Sequence, residues 1–345
     1  MFIRFISDMP LRKALRSFRW FMHAPRQRRE YLRSRTVRDV AGHVDKSTAL
    51  RIEGGVTLKG SINIGKNTAI AVETGGHLIF GDNVWLGENC EIDASGIVEI
   101  GASSSLQHRT IVLGEISIGA GCLFGPNVYI SSGQHRFEDR PELPIRWQDA
   151  TFQASKDQVR KSVQIGEDCW IGTNVVIMPG VNIGRGSIIG ANSTVTRDVP
   201  PYSIIAGSPA RVLRTRLDFI PPSELHAGRE AHLPYFYSGF RFWGNGISSL
   251  KEAQHDGGWL AKDRFSLAMA VKSGDDCELQ IMARAPGTLK HGDASGIPVS
   301  AGKSTIHVQA SPNPYGMLEF SWSESQPGEP AGLVILSATK CQRIA

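Results

Sequence analysis

His135 stands in the run ISSGQHRFED, residues 130–139. Its residue type suits it to proton transfer, because imidazole titrates near neutral pH and can take the proton of a hydroxyl as that hydroxyl attacks a carbonyl carbon. Such a base typically contributes about 10²–10⁴ in rate. Asp139 and Glu138 are close enough in sequence to orient the ring, or else they are solvated loop charges. His108 and His135 supply two obvious ligands where a catalytic zinc takes three, so no metal is expected. The five cysteines form an odd set without a Cys-x-x-Cys pair, which argues against a disulfide framework and a zinc ribbon and favours reduced thiols.

The elements that would position His135 follow from a repeat. Ile100, Leu106, Val112, Ile118, Phe124 and Ile130 are six apart without a gap, and so are Ile165, Ile171, Ile177, Ile183, Ile189 and Val195. Weaker stretches, Leu58 to Ile70 and Phe80 to Val98, carry the rhythm toward the N-terminus with slips of register. A helix cannot hold one face inward at this period, and an ordinary strand alternates every two residues. A coil of three flat sides, about six residues per side, keeps one aliphatic residue inward on each side. The sequence therefore predicts a parallel β-helix. Gly follows the aliphatic anchor in IGKNTA, LGENCE, IGASSS, IGAGCL, IGEDCW and IGTNVV, where tight corners are expected. Cys90, Cys122 and Cys169 share one position, four residues after an anchor, and are expected as small core residues.

These repeats resemble those of the left-handed β-helix hexapeptide acyltransferases, over about residues 46–214. The stretch SSGQHRFEDRPELPI, with VQIGEDCWIGTNVVIMPGVNIGRGSIIGANSTVTRDVPPYSIIAGSPARVL, is similar to the sugar and polysaccharide O-acetyltransferase branch. The resemblance implies a left-handed coil, a homotrimer, acetyl-CoA as acyl donor, a sugar or glycan acceptor, and His135 as general base. It places Trp170 and Thr173 along the pantetheine arm, Ala191 at a backbone contact, and Thr196 and Arg197 farther along, with Arg211 or Arg214 near the phosphates. Trp170 has an alternative use, packing against another subunit. Related enzymes often carry an Asn near the acceptor one coil earlier, where counting back gives Gln107 or His108; these and Asp139 are the acceptor candidates. AGSPARV resembles the family's coil terminator, with Pro209 helping to stop the repeat.

The repeat breaks after Ile130, and Ile165 falls 35 residues later, close to six repeats, so the residues between read as a loop extruded from a coil that continues. Loops on rigid scaffolds commonly carry chemistry. The run from Arg136 to Ser162, with Trp147 and several cations, either covers the acceptor or reaches the next subunit.

Residues 1–45 form a basic N-terminal segment. Met1 to Arg35 holds ten Lys or Arg against Asp8 and Glu30, a local charge of +8 that leaves −3 for the rest of a chain of net charge +5. Pro10 to Met22 predicts a short helix with Leu11, Leu15, Phe18 and Met22 on one face. It either caps the coil or lies on an anionic membrane surface. Charged residues interrupt it too often for a secretory leader. Nucleic-acid binding has only charge in its favour and is not expected.

After Arg214 the six-residue period ends. Short β-like runs such as RFSLAMAV, CELQIMAR and GLVILSA predict a C-terminal antiparallel β-sandwich over 215–345. Its Trp243 and Trp259 either stack on sugar rings or lie in the core.

The function expected is O-acetylation of a sugar hydroxyl in bacterial surface-polysaccharide synthesis. The expected site of action is the cytoplasm, with peripheral contact at the inner face of the membrane if the N-terminal helix lies on lipid. The rival expectations are acetylation of another small hydroxyl compound and a glycan-binding scaffold without catalysis.

Overall fold

The computed structural model describes residues 42–148, 161–240, 254–256, 258–312, 317–324 and 333–341. The expected N-terminal helix and Trp243 lie outside the described residues. Among the described residues, no helix is long and apolar enough to cross a membrane. The chain divides into two compact units, one of coils up to Leu213 and one from Arg214 onward that also includes Gly184–Ser187 and Pro200–Ser203.

In the first unit the chain visits three parallel sheets in turn, which form the sides of the coil. Side one includes Val84–Leu86, Ser105–Leu106, Leu123–Phe124, Trp170–Ile171 and Ile188–Ile189. Side two includes Glu91–Ala94, Ile111–Leu113, Tyr129–Ser131, Val176–Ile177 and Thr194–Val195. Side three includes Ile97–Ile100, Ile116–Ile118, Val163–Ile165 and Asn182–Ile183. Register stacks equivalent residues, so Ile92, Val112, Ile130, Ile177 and Val195 form one inward column, all buried. The hexad rhythm is thus one side of an 18-residue coil, as in the pair Leu106 and Phe124. The N-terminal slips have a simple origin: Ile64 and Leu86 pair across 22 residues and Leu86 and Leu106 across 20, because those coils are wider.

The corner glycines act differently from the expectation. The left-handed residues at the corner between sides one and two are Asn67, Asn89, Arg109, Asn127, Asn174 and Asn192, with φ between 54° and 60°. Asparagine tolerates this region better than most residues. Its side chains also tie successive coils: Asn127 donates to Asn174 at 2.8 Å, and Asn174 to Asn192 at 2.9 Å. The glycine after each anchor is needed for close approach. A Cβ on Gly87 would lie 2.6 Å from the His108 nitrogen, and one on Gly119 would lie 2.5 Å from the Glu167 nitrogen. Cys90, Cys122 and Cys169 are buried and in no disulfide, and burial raises the Cys90 and Cys122 thiols above their ordinary value. The inward repeat ends at Ile205, just before Pro209: Ala210–Thr215 adds an edge strand to side one, but none of its residues is buried.

The second unit is antiparallel, as its alternating runs predict. Its strands join by hydrogen bonding into one sheet where two facing sheets were expected. The reason is the eleven-residue strand Gly258–Ala268, which pairs through Trp259–Ala261 with Leu333–Ile335 and through Arg264–Ala268 with Met317–Ser321. Leu279, Ile281, Phe265, Leu289, Phe320 and Ile335 share one core. Trp259 is 1% exposed and belongs to that core, which removes it as a sugar-stacking surface.

Candidate functional site

The edge between sides two and three is where the coil opens. Val112 and Ile116 are separated by three residues, but the equivalent Ile130 and Val163 are separated by thirty-two. Pairing on both sides is undisturbed: Ile130 stacks on Val112 and Val163 on Ile116. The chain leaves through two buried serines. Ser132 Oγ accepts from the Glu115 N–H at 2.8 Å, and Ser131 Oγ accepts from the Gly133 N–H at 3.1 Å. His135 follows three residues after Ser132 and is exposed. Its backbone is thereby tethered to a rigid coil while its ring reaches solvent. Ser131 and Ser132 were not singled out from the sequence; the signal was a serine pair where the preceding coil has Leu113 and Gly114.

Beyond His135 the loop is held by its own contacts. Arg136 donates to Asp139 at 2.6 Å, an exposed pair that engages the carboxylate expected to orient the histidine or meet the acceptor. Exposed pairs of this kind contribute about 0–1 kcal/mol. Gln148, 7% exposed, accepts from the Arg140 N–H at 3.2 Å and donates to the Leu143 carbonyl at 3.0 Å, closing residues 140–148 on themselves. Phe137, Ile145 and Trp147 remain exposed on this loop.

Gln107 and His108 occupy another edge, between sides one and two. They follow a side-one strand, whereas His135 follows a side-two strand; the residues one coil before His135's exit are Gly114 and Glu115. His108 is turned onto the coil below it. Its Nδ1 accepts from the Glu88 N–H at 2.9 Å, and its ring stands edge-on to Trp85 at 5.9 Å between centroids. Acceptance at Nδ1 places the proton of a neutral ring on Nε2, so this imidazole can offer a donor and not a base.

The donor candidates divide between the same regions. Trp170, 56% exposed, points outward from side one in a column with Leu123 and Ile188. Thr173 and Ala191 lie in successive coils at the edge of sides one and two, where Gly172 permits the approach: its Cβ would be 2.6 Å from the Ala191 nitrogen. Thr196 and Arg197 are exposed and directly follow Val195, which stacks on Ile177 and, through it, on Ile130. They therefore share the edge from which the His135 loop departs, two coils on. Arg211 is exposed on the last side-one strand, where its guanidinium donates to its own Ala210 carbonyl at 3.0 Å. In a three-sided coil, side one lies across from the edge of sides two and three. One chain therefore brings Thr196 and Arg197 to His135's edge and holds Trp170 on the opposite face.

Comparison with known proteins adds a lineage to this geometry. Residues 162–197 match the bacterial transferase hexapeptide (six repeats) family. The chain is 38% identical over 120 residues to a probable macrolide acetyltransferase of Lysinibacillus sphaericus, covering 32% of this chain and 67% of that protein. It is 35% identical over 109 residues to a chloramphenicol acetyltransferase of Klebsiella aerogenes, covering 30% and 52%. It is 32% identical over 136 residues to the galactoside O-acetyltransferase of Escherichia coli (strain K12), covering 39% and 62%. The chain thus spans about half the length of the Klebsiella aerogenes and Morganella morganii chloramphenicol acetyltransferases it matches.

Proposed function

The chain belongs to the hexapeptide-repeat transferase family, and from that premise we propose that it is an acetyl-CoA-dependent O-acetyltransferase of a sugar hydroxyl in surface-polysaccharide synthesis, acting in the cytoplasm. The observation that carries this reading is His135 at the root of an excursion that leaves the coil between Ile130 and Val163 without disturbing register on either side. His135 takes the proton of the acceptor hydroxyl as its oxygen attacks the thioester carbon; the acetyl group passes to that oxygen and the thiolate of CoA leaves. A backbone N–H at a coil edge is suited to receive the oxyanion, since fixed donors there need no reorganisation. The coil is left-handed in this reading. The separation of Trp170 from His135 supports a site shared between neighbouring copies of a homotrimer, with the arm of CoA along Trp170, Thr173 and Ala191 of one copy. Arg211 of that copy and Thr196 and Arg197 of its neighbour then lie toward the nucleotide end, where guanidinium groups suit phosphates.

The galactoside relative supports a sugar acceptor, while the chloramphenicol and macrolide relatives support the second reading, a hydroxyl of another small compound. Calorimetric titration with acetyl-CoA, followed by an acceptor screen, tests both. Micromolar binding lost in Trp170→Ala and Arg197→Ala is the expected result. Absence of binding sinks the transferase reading and leaves the glycan-binding scaffold.

A further inference from the structure

The second unit brings together three side chains with no part in acetyl transfer. Glu278 on strand Asp276–Ala283 sits directly opposite His307 on strand Gly302–Gln309. Cys341 extends the neighbouring strand Leu333–Lys340 by one residue, its N–H donating to the Asp276 carbonyl at 2.8 Å. Three adjacent strands thus present a carboxylate, an imidazole and a thiol together. A Glu278 oxygen, a His307 ring nitrogen and the Cys341 sulfur all lie within 4.8 Å of one another. They share the face away from the core. Leu279 and Cys277, the neighbours of Glu278, are buried, as are Ile306 and Val308 beside His307.

We propose that Glu278, His307 and Cys341 form a binding site for a zinc-like divalent cation. Metal–ligand bonds of about 2.0–2.3 Å in a tetrahedron require ligand atoms roughly 3.5 Å apart, a closure that side-chain rotation from the present spacing provides. The donor set selects the metal class: thiolate and imidazole favour zinc over magnesium or calcium, which take oxygen ligands. With one thiolate and one carboxylate, the bound dication is neutralised. Binding displaces the thiol proton of Cys341 to solvent as the sulfur–metal bond forms. Gln280, 3.4 Å from Glu278 Oε1 through its amide nitrogen, is placed to hold the carboxylate's orientation. Three protein ligands leave a fourth position for water or an external ligand. The spacing of 29 and 34 residues between the ligands has no motif signature, which is why the sequence does not announce the site.

The test is titration of the reduced full-length protein with Co²⁺ alone, followed by Zn²⁺ competition. One equivalent should bind with a near-ultraviolet thiolate-to-cobalt charge-transfer band, and one equivalent of Zn²⁺ should abolish it. Cys341→Ser should lose the band with its far-ultraviolet circular dichroism unchanged, while His307→Ala and Glu278→Gln should each weaken binding at least about tenfold. A missing band, a band that survives in Cys341→Ser, or affinity unaltered in both other variants overturns the assignment. None of these readouts depends on acetyl transfer.

Discussion

Phe124 in the coils and Phe265 in the C-terminal sheet are both buried aromatic residues, but they are buried by different rules. Phe124 belongs to a column whose neighbours, Leu106 below and Ile171 above, occupy the same position of adjacent coils. Phe265 packs on Phe320, rings stacked at 5.1 Å, from a strand more than fifty residues away in sequence. In the coil, each layer depends on the layers beside it, and a loop can leave at an edge as long as the next strand returns to register. The stretch from Ser132 to Val163 does this. In the antiparallel sheet, positions are set by strands distant in sequence, and a ligand set such as Glu278, His307 and Cys341 is assembled by pairing. The coil therefore distributes a site by coil number and side, whereas the sheet gathers one.

The largest effect expected from this contrast is catalytic. His135→Ala should lower acetyl transfer at least about a hundredfold in steady-state kinetics, with the circular dichroism of the native protein retained. Joining Ser132 directly to Ser162 should likewise remove activity. If the loop is an addition to the coil, that deletion leaves a cooperative thermal transition, and a chain that no longer folds would contradict the separation of lattice and loop.

Next come the layers themselves. Phe124→Ala should cost about 3–5 kcal/mol in urea unfolding, because the cavity falls in the middle of a column whose neighbours are fixed by register. A smaller loss, about 1–3 kcal/mol, is expected for Gly119→Ala, where the added Cβ meets backbone of the next coil at 2.5 Å. Gly228→Ala in the other unit, with nothing within 4 Å of its Cβ, should change stability by less than about 0.5 kcal/mol. Equal effects at the two glycines would show that close approach is not what the coil requires.

The last effect is one of pH. Burial pushes the Cys277 thiol up from its ordinary 9.0 to about 11, so the folded protein keeps that proton to higher pH than the unfolded chain. Its contribution to stability is complete below the unfolded value and is lost as pH rises through about 11. Urea midpoints measured from neutral pH to pH 11 should therefore decline more steeply in the wild type than in Cys277→Ala. Parallel profiles would assign the decline to other groups.

Much of the coil was legible because its period is local. Six residues make one side, so anchors such as Val112 and Ile130 declare their inward direction without knowledge of their partners. The corner chemistry was only partly legible: the glycines were visible, but their use for close approach depends on the coil above. The left-handed role passed to residues such as Asn127 and Asn174. In the candidate site, His135 was visible from its place at the break. Gln107 and His108 were placed beside it by counting repeats, which preserves coil number but not the side on which a residue lies.

The sequence by itself determined the three-sided coil, its interruption after Ile130, and the change to alternating strands beyond Arg214, because hydrophobic period is a property of neighbouring residues. Tertiary structure alone decided that His108 turns its Nδ1 to the Glu88 N–H, and that Trp170 faces away from the His135 edge. It also decided that Glu278 meets His307 and Cys341. Each depends on which strand lies beside which, and strand pairing is set by the packing of the whole chain.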